Sequence, residues 1–264
     1  MLNPPVIEGA RDLLARYDAV FCDVWGVLHD GRDAFKSACS ALIAFKAQGG
    51  AVVLVSNAPQ PKERVGEILD ERNVPREAWD AIVSSGDLAL EHVAKSGFRR
   101  TARIGPLPRS LPFFARLSGE AAPIETAEAI VCTGLVDDHN ETAKAYRPML
   151  AKALARRLPF ICANPDLIVD VGGRLYLCAG AVAKLYEEMG GEVFWAGKPH
   201  LPAYHRARSE AERLLARSIP KSSILAIGDA MRTDIAGAAG FGIDSLFVAN
   251  GIHRHEVTDN GHID

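Results

Sequence analysis

Residues 21–30 read FCDVWGVLHD, the close of a buried-looking strand that delivers Asp23 into a glycine-containing turn beside Trp25. The strand itself, AVFCDV (19–24), carries apolar residues at successive positions rather than at alternate ones. A short run of that kind is apolar on both faces of the pleat, as the strands of a helix-covered parallel sheet are. Open parallel sheets bind their ligands at the carboxyl ends of the strands, so an acid in this place is positioned for chemistry.

The pattern repeats along the chain. AVVLVS (51–56), VFWAG (193–197), ILAIGD (224–229) and DSLFVA (244–249) read as further strands buried on both faces. Between them AFKSACSALIAFKAQ (34–48), PKERVGEILDERN (61–73) and LPAYHRARSEAERLLARS (201–218) carry apolar residues at helical spacing. The alternation predicts an α/β fold, a Rossmann-like parallel sheet with helices on both sides. From Ser56 to Lys198 the rhythm is longer than one crossover needs, and residues 84–181 contain ARIGP, AIVCTGL, PFICANPD and the hairpin-like DLIVDVGGRLYLCA. That segment is expected to be a second small α/β unit, inserted as a cap over the strand ends of a core made of residues 1–83 and 182–264. The small-residue stretch DIAGAAGFG (234–242) reads as a tightly packed helix ending at a glycine cap.

The bulk numbers narrow the partners. With 48% hydrophobic and 24% charged residues in 264, the chain has the makeup of an ordinary folded protein, which excludes wholesale disorder. A net charge of −3 provides no basic field for nucleic acid and no polybasic stretch for a membrane surface, so a small-molecule partner is expected. Cys22, Cys39, Cys132, Cys162 and Cys178 are odd in number, show no C-x-x-C spacing and sit in apolar runs. They read as reduced core residues of a cytoplasmic protein. No run approaches ~18 apolar residues, and the prolines and charges of MLNPPVIEGARDLLARYDA interrupt the apolar stretch that a signal peptide needs.

Four strand ends carry polar residues that a packed core would not want: Asp23; Ser56 with Asn57; Lys198 in AGKP; and Asp229 with Asp234 in GDAMRTD. Three carboxylates meeting at one point need a counter-charge, and an oxygen-only ligand set without His or Cys points to Mg²⁺. Lys198 and Ser56 would then supply a cation and a hydroxyl for an anionic group, and phosphate fits that description.

Taken in order, DVWGVL, VSNAP, CANPD, GKP and GDAMRTDI resemble the haloacid dehalogenase superfamily, and within it the class IIA branch of sugar phosphatases and p-nitrophenyl phosphatases. The resemblance spans nearly the whole chain. It implies a Rossmann-like core with an inserted α/β cap domain of the C2 type, and a Mg²⁺-dependent hydrolase of small phosphorylated metabolites. Asp23 is implied as the nucleophile that forms an aspartyl-phosphate. Ser56, beside Asn57, is implied to hold a phosphoryl oxygen, and Lys198 to neutralise charge and orient Asp23. The implied Mg²⁺ ligands are Asp23, the main-chain carbonyl of Trp25, Asp229 and Asp234, the last directly or through water. Asn164 and Asp166 match the cap stretch that faces the substrate in this branch, and Gly180 in CAGAVAK matches a loop near it. Caps of the branch pair, so the resemblance also suggests a homodimer.

The sequence departs from that pattern at Trp25, where the phosphatases carry a second aspartate that protonates the leaving oxygen. A positioned general acid is worth ~10²–10⁴ in rate, so a slow or choosy phosphatase is expected. His29 and Asp30 are near enough in sequence to replace the acid, but they read more simply as the polar turn after the strand. Two alternatives remain. A protein that binds phosphorylated ligands without turnover keeps every other group. The superfamily's dehalogenases also carry an aromatic residue here, but they need no metal, and the retained acid pair in GDAMRTD argues against them.

The other conspicuous residues have structural readings. His253 and His255 are expected in a solvated turn, Trp79 and Trp195 in packing, and Arg156 and Arg157 on a solvated helix face. After DSLFVA the sequence shows no further strand–helix pair, where members of the branch often continue with one.

Overall fold

The computed structural model describes residues 5–249, 251–252, 258–259 and 262–263, so His253 and His255 lie outside the described residues. In chain order the elements begin with α1 (Arg11–Leu14), β1 (Ala19–Cys22), α2 (Lys36–Ala47), β2 (Ala51–Ser56), α3 (Lys62–Glu71), β3 (Ala81–Ser84) and α4 (Ser85–Ser96). There follow β4 (Arg100–Ile104), α5 (Leu111–Phe114), β5 (Glu120–Ala121), β6 (Ala129–Cys132), α6 (Arg147–Ala155), β7 (Phe160–Cys162), β8 (Ile168–Val171) and β9 (Arg174–Leu177). The chain continues with α7 (Ala179–Glu188), β10 (Val193–Trp195), α8 (Leu201–Leu215), β11 (Ile224–Gly228), α9 (Ala236–Phe241), β12 (Asp244–Phe247), β13 (Thr258–Asp259) and β14 (His262–Ile263).

Two compact units emerge, one of Met1–Val55, Leu69–Ile82 and Tyr204–Asp264, the other of Ser56–Ile68 and Val83–Ala203. The first is built on a five-stranded sheet in the order β12-β11-β1-β2-β3, with β2 and β3 each running on into the second unit at their last residues. Strands β12, β11, β1 and β2 run parallel. Every residue of β1, β2 and β11 is buried, which is why their sequences are apolar without alternation. The register sets Cys22 beside Leu54 on one side and beside Ile227 on the other. From β1 the chain moves to β2 on one flank, while its other flank is filled by β11, so the strand order reverses between β1 and β11. Crevices of parallel sheets form at such reversals.

The second unit carries its own five-stranded sheet, all parallel, in the order β10-β7-β6-β4-β5. Its core gathers Ile130, Cys132, Leu150, Phe160, Cys162 and Tyr186. VFWAG, expected as a strand buried on both faces, is the half-buried edge strand β10 of this sheet. Its composition matches a core strand, but among the described residues it pairs with β7 alone, and an edge position leaves it partly exposed. The hairpin-like stretch is an antiparallel hairpin, β8 with β9, turned at Gly172 and Gly173. The DIAGAAGFG helix ends as expected, with Gly242 left-handed at the cap of α9.

All five cysteines are buried. Trp79 is buried and Trp195 half-buried. Arg156 and Arg157 are exposed, as expected, and the Arg156 guanidinium also reaches the carbonyls of Ile124 and Ala127. Among the described residues no helix is long and apolar enough to cross a membrane.

Candidate metal centre and phosphoryl-binding residues

Asp23 leaves the end of β1 and Asp229 the end of β11, and the Asp23 amide still bonds the Ile227 carbonyl at 2.8 Å. The paired parallel strands therefore deliver both acids to the carboxyl end of the sheet. Asp234 arrives from a wide turn, Met231–Ile235, in which the Ile235 amide reaches back five residues to the Ala230 carbonyl at 3.3 Å. Such π-type turns recur at functional sites because they re-aim one residue of a helix start. The result is a cluster in which carboxylate oxygens of Asp23, Asp229 and Asp234 lie within 4.8 Å of one another.

Backbone groups hold each acid in place. Asp23 Oδ1 accepts from the Val24 amide at 2.7 Å, Asp229 Oδ2 from the Ile252 amide at 2.8 Å, and Asp234 Oδ2 from the Ala230 amide at 3.2 Å. Glycines make room for them. A Cβ on Gly26 or on Gly251 would stand 2.1 Å from Asp229 Oδ2, and one on Gly228 2.1 Å from Cγ of Asp234. These glycines escaped the sequence reading, although each sits beside a strand end that carries an acid or the turn that faces one. Asp229 and Asp234 are buried and Asp23 half-buried.

Two carboxylates closer than this limit repel by about 3–4 kcal/mol per pair at an effective dielectric of ~20. A buried all-oxygen donor set with that much like charge is suited to a hard divalent cation. The residues present therefore fit the metal that the sequence pattern implies.

The turn after Asp23 is closed by packing rather than by acid–base groups. Trp25 lies edge-on to His29 with ring centroids 5.2 Å apart, and a Cβ on Gly31, whose φ is +91°, would stand 2.5 Å from Cη2 of the indole. His29 is buried at 1% exposure, its Nδ1 accepts from the Gly31 amide at 3.0 Å, and burial pushes its pKa down to about 4. Asp30 accepts from the amides of Arg32 and Asp33 at 2.8 and 3.0 Å, bonds that lower its pKa. A neutral imidazole and an ionised carboxylate are both in the wrong state to donate a proton at neutral pH.

In the second unit, β7 and β10 pair with Cys162 beside Trp195 and release their chains at the same end of the sheet. Asn164 and Asp166 follow the first and Lys198 the second. The Asp166 amide donates to Asn164 Oδ1 at 3.1 Å, while Asn57 Nδ2 donates to Asp166 Oδ1 at 2.8 Å. Lys198 is buried at 3% exposure. Ser56 is buried at the end of β2, its Oγ accepting from the Ala58 amide at 3.2 Å. Gly180 stands where α7 starts against the chain: a Cβ there would meet the Pro165 carbonyl oxygen at 2.3 Å. Its place is thus explained by close backbone approach.

Comparison with known proteins gives a consistent picture. A family profile described as haloacid dehalogenase-like hydrolase matches residues 20–105, and one described as HAD-hydrolase-like matches residues 195–263. No curated protein matches the chain. Among solved structures, a hydrolase of the haloacid dehalogenase-like family from Brucella suis is 44% identical, covers 94% of this chain and 95% of that one, and superposes with a TM-score of 0.88. A possible sugar phosphatase of the HAD superfamily from Cytophaga hutchinsonii is 24% identical over 93% of this chain and 89% of that one, with a TM-score of 0.77. The p-nitrophenyl phosphatase from Archaeoglobus fulgidus is 18% identical over 92% and 94%, with a TM-score of 0.67.

Proposed function

The chain belongs to the haloacid dehalogenase-like hydrolase family, and from that premise we propose that it is a Mg²⁺-dependent phosphatase of small phosphorylated organic molecules, working through an aspartyl-phosphate on Asp23. The observation that carries the proposal is the meeting of three carboxylates within 4.8 Å at the reversal of a parallel sheet. That arrangement is costly without a cation and suits chemistry at an anionic phosphoryl group.

In this mechanism a carboxylate oxygen of Asp23 attacks phosphorus, and the bond from phosphorus to the ester oxygen breaks with its electron pair on the leaving oxygen. Water then attacks phosphorus, releasing inorganic phosphate and restoring the Asp23 carboxylate. Ser56 and Asn57 hold a phosphoryl oxygen, and Lys198 neutralises charge and orients Asp23. Asn164, Asp166 and Gly180 line the substrate side. Asp23, Asp229, Asp234 and the main-chain carbonyl of Trp25 would hold Mg²⁺, which would supply positive charge against the phosphoryl oxygens.

Trp25 limits the reaction, because an indole cannot protonate the leaving oxygen and neither neighbour in the turn is poised to replace it. Leaving groups of low pKa, such as nitrophenol or an acyl group, need little protonation and turn over; alkyl groups do so slowly. The same residue motivates a second reading, a protein that binds phosphate esters without hydrolysing them. The proposal also takes residues 84–181 as an inserted cap on a core of 1–83 and 182–264, a cytoplasmic setting in which the five cysteines stay reduced, and a homodimer.

Hydrolysis of p-nitrophenyl phosphate and of an alkyl phosphate, each with and without Mg²⁺, separates the readings when the wild type is compared with Trp25→Asp. Mg²⁺-dependent release of nitrophenol by the wild type is expected, with the alkyl ester gaining ~10²–10⁴-fold only in Trp25→Asp. Turnover in neither protein, with inorganic phosphate still bound, would favour the binding reading. Asp23→Asn is expected to abolish turnover while leaving the circular dichroism spectrum unchanged; full activity in that variant would remove Asp23 as the nucleophile.

A further inference from the structure

Within the second unit the backbone around Lys198 is held by side chains from elsewhere in the sequence. Asn57 Oδ1 accepts from the Lys198 amide at 2.8 Å, and Asn57 Nδ2 donates to the Lys198 carbonyl at 3.0 Å. A single carboxamide thus grips the peptide groups on both sides of the Lys198 α-carbon. The second hydrogen of Nδ2 goes to Asp166 Oδ1 at 2.8 Å, which commits both amide hydrogens and one carbonyl lone pair. Asn57 is buried at 5% exposure, so these bonds are shielded from water, and such bonds are costly to leave unmade.

The surroundings fit the grip closely. A Cβ on Gly197 would stand 2.4 Å from Asn57 Oδ1, so the carboxamide approaches the chain only because residue 197 is glycine. Ser85 Oγ donates to the Ala196 carbonyl and holds the residue before it. Asp166 is itself fixed, its amide bonded to Asn164 Oδ1, while Cys162 Sγ donates to the Asn164 carbonyl at 3.2 Å.

We propose that Asn57, braced by Asp166, is a positioning residue for Lys198: it acts by clamping the lysine's backbone so that the buried ammonium is presented in one place. This deepens the phosphatase reading above and rests on it for the role of Lys198. It also changes what Asn57 does in that reading, since both amide hydrogens with which its side chain would bind a phosphoryl oxygen are engaged in the clamp. Preorganised charge is effective because nothing reorganises during the reaction, and a misplacement of ~1 Å can cost ~10²-fold in rate.

The test exchanges donor and acceptor. Asn57→Asp sets two carboxylates against each other, and Asp166→Asn leaves two carboxamides without a shared charge-assisted bond. The double variant restores a bond of reversed polarity between residues 57 and 166 and keeps an acceptor for the Lys198 amide, while the donor to the Lys198 carbonyl stays lost, so recovery is partial. Against p-nitrophenyl phosphate, Asn57→Asp is expected to lose ~10²-fold in kcat with KM little changed, and the double variant to recover at least about tenfold of that loss. No recovery, with the loss falling on KM and on the affinity for inorganic phosphate, would make Asn57 a direct ligand and overturn the proposal.

A second measurement does not depend on turnover. Hydrogen exchange of the Lys198 amide, followed by NMR, is expected to speed up by at least about tenfold in Asn57→Ala, or in Asn57→Ser if the alanine variant does not fold. Unchanged exchange would overturn the clamp even if the wild type is an active phosphatase. Faster exchange in the variant, together with a wild type that lacks phosphatase activity, would keep the clamp and remove the phosphatase reading alone.

Discussion

Gly26 stands at φ +81°, a left-handed conformation that L side chains rarely adopt, with the Asp229 carboxylate in the space a Cβ would fill. Alanine there is strained twice, by its own backbone and by the carboxylate it would push aside. Gly26→Ala is expected to weaken Mg²⁺ binding at least about tenfold, one pKa-sized step of ~1.4 kcal/mol, as measured by titration calorimetry. Unchanged affinity would mean that Asp229 is not a ligand. Gly31→Ala meets the indole instead and is expected to lower stability by about 1–3 kcal/mol in chemical denaturation. At this scale the sequence marked out Asp23, Asp229 and Asp234, which the fold brings within 4.8 Å of one another, because an acid at the end of an apolar run has no packing reason to be there. It did not show His29 as a buried wall for Trp25. What packs on a turn depends on the path of the turn, and Gly31's positive φ is visible only in the fold.

Strand β10 illustrates how much an element depends on its partners. Phe194 and Trp195 point to opposite faces of the strand, and each is covered by an imidazole: His92 stacks on Phe194 with centroids 3.6 Å apart, and His200 on Trp195 at 5.3 Å. Burial lowers the pKa of both histidines from 6.5, against the raising influence of Glu192 on one and Glu187 on the other. The unfolded chain therefore binds protons more readily than the folded one below the ordinary histidine range. Stability is full above that range and is lost as the pH falls through it. Thermal unfolding between pH 7.5 and 5 is expected to show this fall, and replacing both histidines with leucine is expected to make it shallower, with buried His29 supplying the remainder. An equal slope in the variant would assign the pH dependence to other groups. The sequence revealed the strand itself, since VFW is apolar and β-prone. It could not reveal edge or centre, because that is decided by β7, some thirty residues upstream. The β8–β9 hairpin was easier to read, because its two-glycine turn is local.

Across the molecule, the proposed Mg²⁺ site among Asp23, Asp229 and Asp234 is expected to make stability a function of cation concentration. At ~100-fold excess over the dissociation constant, a bound ion stabilises by about 2.7 kcal/mol, or on the order of 5 °C in the unfolding midpoint. Asp234→Asn is expected to abolish this Mg²⁺-induced shift while raising the midpoint in EDTA, since one like charge is gone. A lower midpoint in EDTA would show that Asp234 is held by bonds worth more than the repulsion it suffers. The parallel α/β class was evident from the repeated strand–helix rhythm. The division into units was harder to read, because the chain passes between them at residues 55–56, 68–69, 82–83 and 203–204 rather than at two boundaries. That threading has a consequence for synthesis. Ala19 of β1 must wait for Ile224 of β11, so during translation this fully buried strand keeps one edge bare until most of the chain has been made. The second sheet, complete by Trp195, can close earlier. A nascent chain of this protein thus carries a finished sheet and an open one together, and the open edge of β1 is where newly made copies are most exposed to pairing with one another.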